Sequence, residues 1–123
     1  MFFSERELTA ITRMALYISK ADGVQHQRET TAIVSELSRF NIDPSDAPII
    51  MAKALGMSFD EAVQIIKVMT TEEKRYVSAY LGVLIFIDED IKQIEIDMWT
   101  EISQECNLPS MTLQEAYNIM RAL

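Results

Sequence analysis

Two stretches of this chain place carboxylates at matched spacing. Ala21-Asp22-Gly23-Val24-Gln25-His26-Gln27-Arg28-Glu29 and Ile87-Asp88-Glu89-Asp90-Ile91-Lys92-Gln93-Ile94-Glu95 each carry an Asp after an apolar segment and a Glu seven residues later. The stretches lie 66 residues apart (88 − 22), and at that offset Gln27 matches Gln93 and Asn41 matches Asn107. Two related helix pairs could bring Asp22, Glu29, Asp88 and Glu95 together. Clustered carboxylates repel one another and call for a cation or a cationic partner. With oxygen ligands alone, the ion would be Ca²⁺, Mg²⁺ or Mn²⁺ rather than Zn²⁺.

A plainer reading competes with that one. The pattern Asp22-Gly23-x5-Glu29 equals the second half of an EF-hand loop. The leading ligands are missing, because Ile18 and Lys20 stand in their places, as do Leu84 and Phe86 in the second copy. An EF-hand is therefore excluded. Gly23 reads equally as a left-handed helix cap, with Val24 packing back on Ile18, and Asp90 with Gln93 as a capping box. Glu29 and Glu95 fall in first helical turns, where the helix dipole favours an anion by about 0.3–1 kcal/mol. Asp22 and Asp88 fit less well, since each follows an apolar helix whose dipole disfavours negative charge at that end. Their local remedies are capping the next helix or pairing with Lys20, Arg28 or Lys92.

Other chemistry finds little support. His26 is the only histidine and Cys106 the only cysteine. His26 beside Asp22 and Glu29 reads as an exposed first-turn residue, and Cys106 lies on the apolar face of its helix. One Cys and one His without further signature do not make a nucleophilic centre. Paired carboxylates can do acid–base work, so a carboxylate–metal hydrolytic enzyme using the same four acids is the alternative function. No Gly-rich phosphate loop or nucleophile motif accompanies them, and the preferred reading is non-enzymatic.

The chain that must position these groups has 123 residues, consistent with a single domain spanning 1–123. Its 11 basic and 19 acidic residues give a net charge of −8, which argues against nucleic acid, since phosphate contacts need Lys and Arg. The longest apolar run, Ala79 to Ile87, is far short of the roughly 20 residues that span a bilayer, so no direct membrane insertion is expected. A single cysteine and an early polar N-terminus point to a cytoplasmic protein without a signal peptide.

Capping boxes recur at Ser4/Glu7, Ser58/Glu61, Thr70/Glu73 and Thr112/Glu115, and no hairpin signal interrupts them. The spacing predicts an all-α bundle of seven helices: Ser4–Ala21, Gln25–Phe40, Asp46 to Gly56, Ser58–Met69, Thr70–Ile87, Asp90–Cys106, and Thr112 to the C-terminus. Asp46 is expected to cap the third, with Pro48 in its first turn. The fifth is apolar nearly all round and should be the buried centre, with Gly82 at a close helix crossing. The sixth should bury Ile91, Ile94, Met98, Ile102 and Cys106. Tyr17, Tyr76, Tyr80 and Trp99 read as core. The eight methionines read mainly as core filling, with Met51, Met57 and Met69 the best candidates for a partner surface.

The paired segments Ala21-Asp22-Gly23…Glu29 and Ile87-Asp88…Glu95 in an all-helical domain resemble the TerB-like (tellurite-resistance) family. That resemblance matches Asp22, Gly23 and Glu29 to the family's first repeat and Asp88 and Glu95 to its second. Glu89 departs from it by replacing the second Gly, and Gln25 by standing where an apolar residue is usual. The resemblance implies a seven-helix fold, a divalent-cation role for the acids, and a protein partner in a stress-response or membrane-linked complex. It implies no catalysis.

If the repeats are real, helices one and five should pack together, with helices two and six flanking them. A parallel pair would bring both acidic corners to one end, and an antiparallel pair would separate them. Repulsion among Asp88, Glu89 and Asp90 favours separate corners.

Overall fold

Local capping sets most of the helix starts. In the computed structural model, which describes residues 2–21, 23, 27–87 and 90–123, the Ser4/Glu7, Thr70/Glu73 and Thr112/Glu115 boxes are all closed by reciprocal bonds. Each satisfies two backbone N–H groups that a helix terminus would leave unpaired. Ser58 makes only the forward bond, accepting from the Glu61 N–H at 3.1 Å.

The described residues form α1 (Glu5–Ser19), α2 (Gln27–Leu37) continued by a 3-10 turn (Ser38–Phe40), α3 (Ala47–Leu55), α4 (Phe59–Lys67), α5 (Thr71–Phe86), α6 (Gln93–Cys106) and α7 (Leu113–Arg121). The described residues are all-α, with seven helices around one hydrophobic core. Among the described residues no helix is long and apolar enough to cross a membrane.

Two expected caps fail for physical reasons. Asp46 precedes α3 but has helical torsions, φ −94° and ψ −13°, and makes no side-chain cap bond. A capping side chain needs extended torsions to reach back to the N2 or N3 amide. Helix α6 starts at Gln93 with Lys92 as its extended cap residue, so no Asp90–Gln93 box forms. The Gln93 amide instead donates to Asp97 at 2.9 Å.

The centre is a pair of helices rather than α5 alone. Both α1 and α5 are buried along most of their length and pack on each other. Around them, α3 and α4 cover α1, and α7 covers α5. Gly82 marks a tight crossing, but against α6 and α7 rather than α1. A Cβ there would lie 2.6 Å from a Trp99 ring carbon and 2.8 Å from the Ala116 Cβ. Trp99 fills that gap and its indole N–H donates to the Ser78 carbonyl at 3.1 Å.

This ring rotates α6 away from its expected phase. The buried stripe is Glu95, Trp99, Ile102 and Cys106, whereas Met98 is half-buried and Ile91 and Ile94 are exposed. Met57 and Met69 belong to the core and Met51 packs against it, so none offers the expected free surface.

The direction of the central pair follows from aromatic contacts at its start. Phe3, just before α1, lies 5.6 Å from the ring of Tyr76 near the start of α5, and both rings meet Phe40 beyond α2. Such edge and tilted arrangements are favourable for ring quadrupoles. With their beginnings joined, α1 and α5 run parallel.

Candidate functional site

Parallel lead-in helices put the C-terminal ends of α1 and α5 at the same end of the bundle. A hydrogen bond joins the chain there: Arg28 in the first turn of α2 donates through Nη1 to the carbonyl of Ile87, the cap residue of α5, at 3.3 Å. Packing at the opposite end, around Phe3 and Tyr76, fixes that helix direction. The expectation of separate corners concerns Asp22 and Asp88, which lie outside the described residues.

Glu29 and Glu95 occupy the third position of α2 and α6, and each is 0% exposed. They are the only charged residues buried among those described. On α2 the buried stripe is Glu29, Ile33 and Leu37, so the carboxylate continues an apolar face into the interior. Glu95 begins the corresponding stripe of α6. The first-turn dipole offers up to about 1 kcal/mol at an exposed site. Burying a carboxylate costs several kcal/mol. The dipole is therefore too small to account for the placement alone.

The duplication extends well beyond the acids. At the 66-residue offset, the capping boxes Ser4/Glu7 and Thr70/Glu73 coincide, and α2 and α6 begin at Gln27 and Gln93. Each of these glutamines bonds four residues ahead, Gln27 to Thr31 and Gln93 to Asp97. Asn41 and Asn107 both adopt the left-handed conformation that ends their helices, with φ 65° and 57°. Gly23 has φ +81°, with its N–H bonded to the Lys20 carbonyl. Its need is for that backbone shape, since a Cβ would meet nothing within 4 Å.

Asp22, Asp88, Glu89, Val24 and His26 lie outside the described residues, so the expectations placed on them are neither met nor refused by geometry. Among the described residues, no three His, Cys, Asp or Glu side chains group closely enough to hold an ion. Asp90 is exposed and 4.0 Å from the Lys92 ammonium. Cys106 is buried, and that burial pushes its thiol up to about 11, which leaves it a poor nucleophile at neutral pH. A buried carboxylate is a hard oxygen donor of the kind that Ca²⁺, Mg²⁺ or Mn²⁺ takes. Sequence reasoning saw both glutamates but missed their depth. The available signal was Glu29 at i, i+4 and i+8 with Ile33 and Leu37.

No model of a known protein family matches the chain, and no curated protein does. A solved structure does: a crystal structure of a protein of unknown function from Porphyromonas gingivalis is similar at 39% identity and a TM-score of 0.88. The match covers 100% of this chain and 99% of that one.

Proposed function

This chain belongs to the same family as that Porphyromonas gingivalis protein, and from that premise we propose that it is a non-enzymatic domain binding a divalent cation at its acidic end. Asp22, Glu29, Asp88 and Glu95 are the proposed ligands, two from each repeat. The observation that carries the reading is the complete burial of Glu29 and Glu95 at equivalent positions of the two repeats. A divalent ion would offset the cost of burying like charges together. The resemblance to TerB-like proteins supports the same role, and extends it to a protein partner in a stress-response assembly.

The hydrolytic alternative needs a cavity beside the carboxylates that admits substrate and a water. The two largest described cavities lie elsewhere. One of about 440 Å³ runs along α6 and the loop before α7, past Trp99 and Asn107, and one of about 520 Å³ lies among α1, α3 and α4 near Arg6 and Lys53.

Calorimetric titration with Ca²⁺, Mg²⁺ and Mn²⁺ tests the proposal. The wild type should bind one ion per chain, and an Asp22→Ala/Asp88→Ala variant should bind none. Absence of heat and of thermal stabilisation at millimolar ion would refute the cation reading.

A further inference from the structure

The two repeats end in different loops. At the 66-residue offset α3 (Ala47–Leu55) matches α7 (Leu113–Arg121), so Asn41-Ile42-Asp43-Pro44-Ser45-Asp46 corresponds to Asn107-Leu108-Pro109-Ser110-Met111-Thr112. The first loop closes on itself. The Asp43 carboxylate accepts from the Ser45 N–H at 3.0 Å and the Ser45 hydroxyl at 2.9 Å, and the Asp46 N–H donates to the Asp43 carbonyl at 2.7 Å. The second loop has neither aspartate, and among the described residues Ser110 and Met111 make no backbone hydrogen bond. That open stretch is nevertheless held on both sides. The Leu108 N–H donates to the Ser103 carbonyl at 2.8 Å, the Ser78 hydroxyl donates to the Pro109 carbonyl at 3.0 Å, and the Thr112/Glu115 box fixes the start of α7.

The cavity of about 440 Å³ lies between this open stretch and the flank of α6. The repeats differ there too. Leu37, buried at the end of α2, corresponds to the half-buried Ser103, and Val34, packed against the core, corresponds to the exposed Thr100. Shorter or more polar side chains thus stand where the first repeat packs aliphatic ones. Charged residues make up 24% of the chain, yet none of the eleven that line this cavity is charged. A charged ligand would lose hydration there without gaining a partner. Ile96, Met111 and Leu113 supply apolar surface, while the Ser103 and Asn107 side chains make no hydrogen bond among the described residues. An apolar lining with a few polar groups, at this size, suits a ligand.

We infer that this cavity binds an uncharged, extended peptide segment of a partner protein. The segment's main chain pairs with the open N–H and C=O groups of Ser110 and Met111, and one of its apolar side chains lies in the cavity. Successive main-chain donors and acceptors are what an extended peptide presents, so edge pairing supplies affinity and the cavity supplies selection. Because the loop is already held on both sides, binding has little left to order. Trp99 is 6% exposed with its ring edge against Gly82, so it leaves no open aromatic face on which a sugar or a base could stack. The inference is independent of the cation reading, since no acidic residue lines this cavity.

The experiment is run in chelator, so that the fate of the cation reading does not enter. A displayed library of random dodecapeptides is selected on the wild-type protein, and the recovered peptides are synthesised with capped ends. Their affinities are measured by calorimetry on wild type, Ser103→Leu and Ser110→Pro, each of which installs the first repeat's residue. Leucine fills the cavity, and proline removes a main-chain N–H. The expected peptides share an uncharged core with an apolar anchor. Ser103→Leu should weaken their binding at least about tenfold, as overfilling a packed site does. Ser110→Pro should weaken it roughly threefold to tenfold, the worth of one hydrogen bond. Both variants should melt close to the wild type. Amide NMR shifts of the wild type on adding peptide should cluster in residues 96–113, a readout that needs neither variant. Failure to enrich any peptide, a charged peptide core, equal affinity for all three folded proteins, or shifts centred elsewhere would each overturn the inference. A wild-type dimer in sedimentation that Ser103→Leu dissociates would give the cavity to a second copy and overturn it as well.

Discussion

Glu29 and Glu95, 66 positions apart, both begin the interior face of a helix with no solvent exposure. Each lies at the third position of its helix, α2 and α6, and the central helices α1 and α5 that precede them run parallel. That depth is more than an ordinary helix cap requires. A capping carboxylate in a first turn gains a few tenths of a kcal/mol to about 1 kcal/mol from the dipole and has no need of the interior.

Neutralising either buried acid separates its two effects. Glu29→Gln and Glu95→Gln should each weaken ion binding by at least about tenfold, the loss expected when a charged ligand becomes a neutral one. Stability in chelator then measures what each carboxylate contributes apart from the ion. Calorimetry and urea melts with and without chelator read both effects.

Gly82→Ala tests the crossing that sets the phase of α6. Replacing a helical Gly by Ala normally favours the helix by about 1 kcal/mol. Here the new methyl would overlap the Trp99 ring, which is anchored on the Ser78 carbonyl, and the Ala116 Cβ. Overpacking of this kind costs about 1–3 kcal/mol, so the variant should be destabilised. The change would appear in the urea midpoint.

Alkaline pH should unfold the protein through the tyrosines at the far end of the bundle. Burial, reinforced by the negative charge of Glu36, pushes Tyr76 and Tyr80 far above the ordinary phenol value. Tyr76 also donates to the Glu36 carboxylate at 2.5 Å. Because the folded state holds these protons more tightly, their contribution is complete below about pH 10, the unfolded value, and declines as pH rises further. Each phenol would remove up to about 1.4 kcal/mol per pH unit. Urea midpoints should fall steeply above about pH 10, and Tyr76→Phe/Tyr80→Phe should flatten the slope.

What was legible in the sequence was what local chemistry decides. The Ser4/Glu7, Thr70/Glu73 and Thr112/Glu115 boxes use atoms three residues apart, so their residue types alone predicted three helix starts. The match of Asn41 to Asn107 was visible as letters, and the structure gives it meaning as two left-handed helix ends. Long-range packing decided the rest. The phase of α6 depends on Trp99 entering the space left by Gly82, a contact between helices that periodicity within α6 does not encode. The parallel direction of α1 and α5 depends on Phe3 meeting Tyr76, 73 residues later (76 − 3). Asp46 failed as a cap because residue type does not fix torsion.

Anomalous diffraction from crystals of the protein grown with Mn²⁺ tests the central claim most directly. The account predicts one strong peak per chain at the end of the bundle where Arg28 meets Ile87, with carboxylate oxygens of Asp22, Glu29, Asp88 and Glu95 at ligand distances of roughly 2.0–2.6 Å. An acidic end with no peak, or one whose Asp22 and Asp88 carboxylates lie too far apart for a single ion to bridge, would contradict it.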